Sequence, residues 1–281
     1  MRLSILDAGH RRRARLFLAV TSAVSRVPSP DIVKMLLYRP EFLTRPLLEL
    51  AAPAMRGDSY WTPGEREYLA MSTARVHECP FCVDTHAELT RIAAHGEIDP
   101  DHPASARPEL LAVQGFLEQV SRSADPDPAR VRAVPSAAVA EALHVNLVWN
   151  IVNRLANAFG FELLDGQLKT GTRALHRSGY RFPGFLLGEN RGDLRTSVFN
   201  QPAHTSPALR RSAATGEGLA EPWREYAALV RDASQRITTD DVRRLTAAGC
   251  TEDEIFEITV AAAVGAALAA FDAGRAALRE E

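Results

Sequence analysis

An all-α fold is what the sequence predicts, on three observations. Helix boundary signals recur along the whole chain: proline in a first helical turn, Ser or Thr three residues ahead of Glu, and glycine just past an apolar stretch. The two-residue alternation of a half-buried strand is almost absent. Two apolar bodies, one from Ser136 to Phe159 and one from Glu254 to Gly274, are longer than ordinary strands.

In chain order, Arg11-Arg12-Arg13, the one local basic cluster, reads as the solvated end of an N-terminal helix in preference to a binding patch. Ser29-Pro30-Asp31 sets an N-cap before a first-turn proline and predicts a helix through Tyr38. Pro40 opens a short stretch toward Met55, interrupted by Pro46 and Pro53 and closed by Gly57. Thr62-Pro63-Gly64-Glu65 is a capping box, so a helix begins there. Pro80 inside that helix would remove a hydrogen bond and clash with the preceding turn. The helix therefore ends around Val76 to Glu78. A new one starts with Cys79 near its cap and Pro80 in its first turn, and runs to about Ala94 before Gly96.

A proline- and aspartate-rich loop, Asp99 to Pro108, leads to a helix from Glu109 to about Ser121. Ser123 to Pro135 reads as a second polar connection, followed by a buried helix from Ser136 to Phe159 that Gly160 ends. Tyr180 to Pro222 has weak periodicity and many Gly, Pro, Asn and Ser residues, and reads as a connection with little regular structure. Helices follow over Pro222–Ser234 and Thr239–Ala248, and the capping box Thr251-Glu252-Asp253-Glu254 opens a last one to about Arg279. The expected division is a helical domain over 1–180, a connecting segment over 181–221 and a second helical half over 222–281. A faint repeat aligns Glu141-Ala142-Leu143 with Glu257-Ile258-Thr259, so the array is read as a candidate duplication.

Composition narrows the function. The 281 residues are 46% hydrophobic and 24% charged, the balance of a globular protein with a real core. A formal net charge of -2 gives no global field toward nucleic acid or an anionic membrane, and neither is an expected partner. No span is read as reaching the roughly 20 apolar residues of a membrane helix. The apolar run from Leu16 to Val24 is short and lacks a cleavage pattern, so the expected location is the cytoplasm. Only three cysteines occur and two stand three residues apart; in a reducing compartment that suggests redox catalysis or metal binding.

Cys79 and Cys82 share one helix face, close enough to form a disulfide. In a first turn the free backbone amides and the helix dipole lower a thiol pKa and raise the attacking thiolate fraction. His86, one turn past Cys82, is placed to take the thiol proton. On a continuous helix Glu67 would lie roughly 18 Å from Cys79. A reversal near Glu78 instead sets it across from His86, where a carboxylate orients the imidazole. Other readings stay open: two buried small side chains, or a zinc site on His77, Cys79, Cys82 and His86. A c-type haem is excluded because Val83 follows Cys82. Asn146, Asn150, Asn153 and Asn157 form a polar stripe, either bonded to a neighbouring helix or subunit or wetted. His144 reads as an interior residue, Cys250 as structural, and Trp61, Phe81 and Trp149 as core.

The pattern of Glu67, Cys79, Cys82 and His86 resembles the alkyl hydroperoxidase D-like branch of the carboxymuconolactone decarboxylase-like superfamily. The resemblance is strong over Thr62 to Gly96, and fainter around Asn150, Asn153 and Arg154 and over Pro222 to Leu278. It implies an all-α, homo-oligomeric thiol peroxidase needing no cofactor, with a peroxide or disulfide substrate and an external thiol reductant. Cys82 would attack the oxidant, Cys79 would resolve it, and Glu67 and His86 would relay protons. One departure is Phe81, where the best-studied peroxidase members carry a second His, so the relay is shorter here. A non-redox member of the same fold, acting on a small organic acid, is the alternative.

Overall fold

A computed structural model describes residues 1–122, 125–188 and 192–279. Every regular element among them is helical, as expected. In chain order the helices are α1 (Ile5–Ala8), α2 (Arg12–Ser25), α3 (Asp31–Tyr38), α4 (Arg45–Arg56), α5 (Pro63–Val76), α6 (Pro80–Ala93) and α7 (Pro108–Ser121). They continue with α8 (Ser136–Phe159), α9 (Gln167–Ser178), α10 (Leu194–Phe199), α11 (Pro207–Thr215), α12 (Trp223–Asp232), α13 (Thr239–Ala247) and α14 (Glu252–Ala277).

Local chemistry explains most boundaries. Thr62 Oγ1 accepts from the Glu65 amide at 3.2 Å while Glu65 returns a bond to the Thr62 amide at 2.8 Å, closing the capping box that starts α5. Thr251 and Glu254 do the same ahead of α14, at 3.2 and 2.8 Å. The chain turns at Glu78 (φ +49°), and Pro80 then opens α6 with Cys79 as its cap. At Ser29 the expectation is corrected by one position: Pro30 occupies the cap of α3, because Ser29 Oγ is taken by Ser22 Oγ at 3.0 Å. Proline does not interrupt α4, which continues through Pro53 in its last turn.

Two expectations need larger correction. The stretch read as a connection over 181–221 holds α10 and α11, each opened by a side-chain cap: Asp193 on the Thr196 amide and Ser206 on the Leu209 amide. These helices are too short to show periodicity. Residues 189–191 of that stretch, and 123 and 124 of the earlier connection, lie outside the described residues. The expectation that no span is long and apolar enough for a membrane is also overturned. α14 has 26 residues and reaches a mean hydropathy of 1.7, with 78% of that window buried in the protein, since an Ala- and Val-rich core helix has the same composition.

The chain divides into two compact units. One comprises Glu49–Asn153, Thr172–Arg181 and Ala267–Glu281; the other Met1–Leu48, Arg154–Gly171 and Phe182–Ala266. Units interleaved along the sequence cannot be read from composition shifts. In the first, α5 and α6 pack so tightly that a Cβ on Gly64 would lie 2.6 Å from Ala94. Arg66, four residues after its cap, donates to the carbonyls of Ala54 (3.4 Å) and Gly57 (2.9 Å) around the end of α4. Glu141 of α8 accepts from Ser59 Oγ (2.6 Å) and the Tyr60 amide (2.9 Å).

The second unit shows the same wiring with different residues. Arg210, four residues after its cap Ser206, donates to the carbonyls of Val198 (2.6 Å) and Gln201 around the end of α10. Glu257 of α14 accepts from the amides of His204 (2.8 Å) and Thr205 (2.7 Å). It also pairs with Arg39. Burial would raise the Glu257 carboxyl, but the bonds from Thr205 and Arg39 hold it below its ordinary value.

Candidate functional site

The cysteine pair occupies the start of α6. Cys79 and Cys82 are joined as a disulfide, their Cα atoms 5.3 Å apart. The Cys82 amide points at Cys79 Sγ, 3.4 Å away, so one first-turn donor acts on the Cys79 sulfur. Both cysteines are nearly sealed, 1% and 2% exposed. A folded partner cannot reach them without movement of the surrounding chain.

The reversal at Glu78 brings α5 alongside α6 and Glu67 against His86, as the spacing anticipates. His86 Nδ1 lies 2.7 Å from Glu67 Oε2, with both residues buried. Burial by itself would raise the Glu67 carboxyl. The hydrogen bond from His86, then the charges of His86 and Arg56, outweigh it and hold the carboxyl below its ordinary value. An ionised carboxylate only accepts, so Nδ1–H is the donor in this bond.

Two partners of Glu67 escaped the sequence reading. Arg56, at the end of α4, donates from Nη2 to Oε1 at 2.5 Å. The Tyr180 hydroxyl donates to both carboxylate oxygens, at 2.8 and 2.9 Å. Burial, then the Glu67 charge, push that hydroxyl well above its ordinary value, so it stays a donor. Tyr180 reaches the site because Gly179 (φ +59°) and Tyr180 itself (φ +63°) are both left-handed. For a tyrosine that backbone costs on the order of 1–2 kcal/mol, and such strain gathers where geometry is functional. The Arg56 guanidinium also sits over the Tyr180 ring, 5.0 Å from its centroid. The left-handed pair after α9 is the one local hint the sequence offered, as glycine ahead of an aromatic.

Trp149 walls the site. Its ring meets His86 edge-on with centroids 3.9 Å apart, and its indole N–H points at Met55 Sδ at 3.2 Å. It is buried, as expected of a core residue, and it also fixes the imidazole plane. Phe81, on α6 between the cysteines, is 8% exposed.

The four residues of the zinc reading do not converge. His77 Nε2 donates to Asn150 Oδ1 at 2.6 Å, the two sulfurs are bonded to each other, and His86 is held by Glu67. Among the described residues no group of three or more His, Cys, Asp or Glu could hold a metal ion.

Most of the asparagine stripe is bonded to neighbouring helices. Asn146 Nδ2 donates to Thr73 Oγ1 (3.1 Å) and Ser121 Oγ (2.7 Å), while Asn150 Nδ2 donates to Asn146 Oδ1 (2.7 Å). Asn157 Nδ2 reaches Ser234 Oγ at 3.2 Å. Asn153 is buried with neither carboxamide atom paired. His144 is corrected: it is exposed, bonding the Ala140 carbonyl one turn back and edging onto Phe271. An apolar neighbourhood in sequence did not make its own face an inner one. Cys250 is a free, partly buried thiol whose pKa burial raises.

Compared with family models, curated proteins and solved structures, the chain has no match.

Proposed function

We propose that the chain is a thiol–disulfide oxidoreductase, peroxidase-like, of the alkyl hydroperoxidase D-like branch of the carboxymuconolactone decarboxylase-like superfamily. The observation that carries this reading is the Cys79–Cys82 disulfide on the same short helix as an imidazole held by the buried Glu67.

In the reduced enzyme His86 Nε2 takes the Cys82 thiol proton. The thiolate attacks one peroxide oxygen, the O–O bond breaks, and the departing alkoxide takes the proton back from His86 as an alcohol. Cys82 is left as a sulfenic acid. Cys79 gives its thiol proton to His86 and its sulfur attacks the sulfenic sulfur; the S–O bond breaks, the leaving hydroxide takes that proton from His86 as water, and the disulfide forms. Two electrons from an external dithiol then restore both thiols. In that exchange the better leaving group is the sulfur whose anion is better stabilised. The Cys82 amide supplies that stabilisation to Cys79, so the incoming thiol attacks Cys82 and expels Cys79. Burial of both sulfurs favours a small hydroperoxide over a protein disulfide as oxidant. A cytoplasmic, self-associating enzyme fits this chemistry.

Thiol titration tests the reading. Reduced protein has three cysteines, and mild peroxide should leave only Cys250 titratable; in Cys82→Ser the paired loss disappears. The rate of Cys82 alkylation against pH should show an apparent pKa below the ordinary thiol value of about 8.5, rising in His86→Ala. Cysteines that stay unreactive at neutral pH after reduction rule the proposal out.

A further inference from the structure

Part of the apolar run between Leu16 and Val24 forms the outer face of α2, and the redox chemistry makes no use of it. The inner face packs Ala14, Phe17 and Leu18 with Leu37 and Leu186. On the other side Leu16, Val20 and Val24 are 67%, 52% and 81% exposed, one helical turn apart on a single ridge. Ala19 and Ala23 are exposed with them. Arg12, Arg13 and Arg15 are exposed at the N-terminal end of this helix, which contains no acidic residue. Neighbouring Arg11 pairs with Glu41, whereas these three meet no carboxylate among the described residues.

We infer that this face of α2 docks the protein on an anionic lipid surface. An apolar ridge with arginines at one end suits the boundary between headgroups and acyl chains: leucine and valine enter the apolar side while the long arginine side chains reach lipid phosphates. A second copy of this chain fits the face less well. A helix of 14 residues is about 21 Å long, too short to supply the roughly 800 Å² per partner of a stable interface. Pairing α2 with itself would also set three unpaired cations against a helix that has no anion. Because the chain as a whole carries a net charge of -2, the attraction is local and salt-sensitive.

Sedimentation of the intact protein with vesicles tests this. Vesicles of phosphatidylcholine and phosphatidylglycerol in equal parts should bind it, and phosphatidylcholine alone should not. Replacing Arg12, Arg13 and Arg15 together by Gln should weaken binding on the order of 100-fold. Replacing Leu16, Val20 and Val24 together by Ser should weaken it at least about tenfold. All six side chains face solvent, so circular dichroism and melting temperature should match the unaltered protein. Failure to bind the anionic vesicles, equal binding to both compositions, full binding by the serine variant, or a lipid-free dimer lost in that variant would each overturn the inference.

Discussion

Tyr180→Phe isolates the clamp on Glu67 from the rest of the site. The substitution removes one oxygen and leaves the ring that packs near Trp149 and under Arg56, so lost packing is minimal. What goes is a hydroxyl donating to both oxygens of a fully buried carboxylate. A hydrogen bond to a charged group contributes about 1.5–3 kcal/mol, and stability at neutral pH should fall by that amount in urea titrations of the reduced protein. The pH dependence has a definite sign. A carboxyl held below its ordinary value of 4.5 in the folded state stabilises above that value and loses the contribution as pH falls through the folded pKa. With one donor fewer the folded pKa moves up toward 4.5, so acid loss begins at a higher pH and its total is smaller. His86 keeps its bond to Glu67, so Cys82 alkylation should slow modestly, with its pH midpoint shifted rather than abolished. A variant as stable as the original, with an unchanged acid limb, would refute the claim that Tyr180 holds the carboxylate.

Other substitutions probe different parts of the argument. Glu67→Gln removes the anion shared by Arg56, His86 and Tyr180; it should cost about 3–5 kcal/mol, read by chemical denaturation, and raise the apparent pKa of Cys82 in alkylation assays. Gly64→Ala forces a methyl against Ala94 at 2.6 Å, and the overpacking should lower stability by about 1–3 kcal/mol while slowing Cys82 reaction as α5 moves off α6. Asn150→Ala takes the acceptor from His77 Nε2 and a donor from Asn146; denaturation should show a loss of about 1–3 kcal/mol, with peroxide-dependent thiol loss intact.

The sequence was informative where structure is set locally. The reversal ahead of Cys79 follows from Pro80, the start of α5 from a capping box, and the approach of Glu67 to His86 from those two together. Arg56 and Tyr180 obey no such rule. Tyr180 is 113 positions from Glu67 along the chain, and nothing near it in sequence signals a carboxylate partner. A buried charge requires further donors, and only the burial of Glu67 in the folded chain shows that such residues are needed. α10 and α11 were hidden for another reason. At 6 and 9 residues they are too brief for periodicity, although Ser206-Pro207 repeats the Ser-Pro signature read at the start of α3.

That same cap bears on the faint repeat. Tyr60 and His204 each stand two residues before a capped, proline-opened helix, and each has its amide held by a glutamate on a long apolar helix, Glu141 and Glu257. Arg66 and Arg210 then reach back to the preceding helix end from equivalent positions. Two independent clamps in one register are hard to obtain from general helix packing, so they argue for a duplicated scaffold whose earlier half is α4–α5 and later half α10–α11. The residue after each arginine shows where the copies part. In the first it is Glu67, buried and holding His86; in the second it is Arg211, exposed and bonded to the Phe199 carbonyl. α11 also stops at Gly216 (φ +84°), well short of the length over which α5 carries the chain to the cysteine turn. The glutamate and arginine clamps therefore belong to the scaffold, whereas Glu67, Cys79, Cys82 and His86 are the residues to which the proposed function assigns the chemistry. On this argument restoring an acid at Arg211 would create no redox site, because the helix that should present its cysteines has already ended.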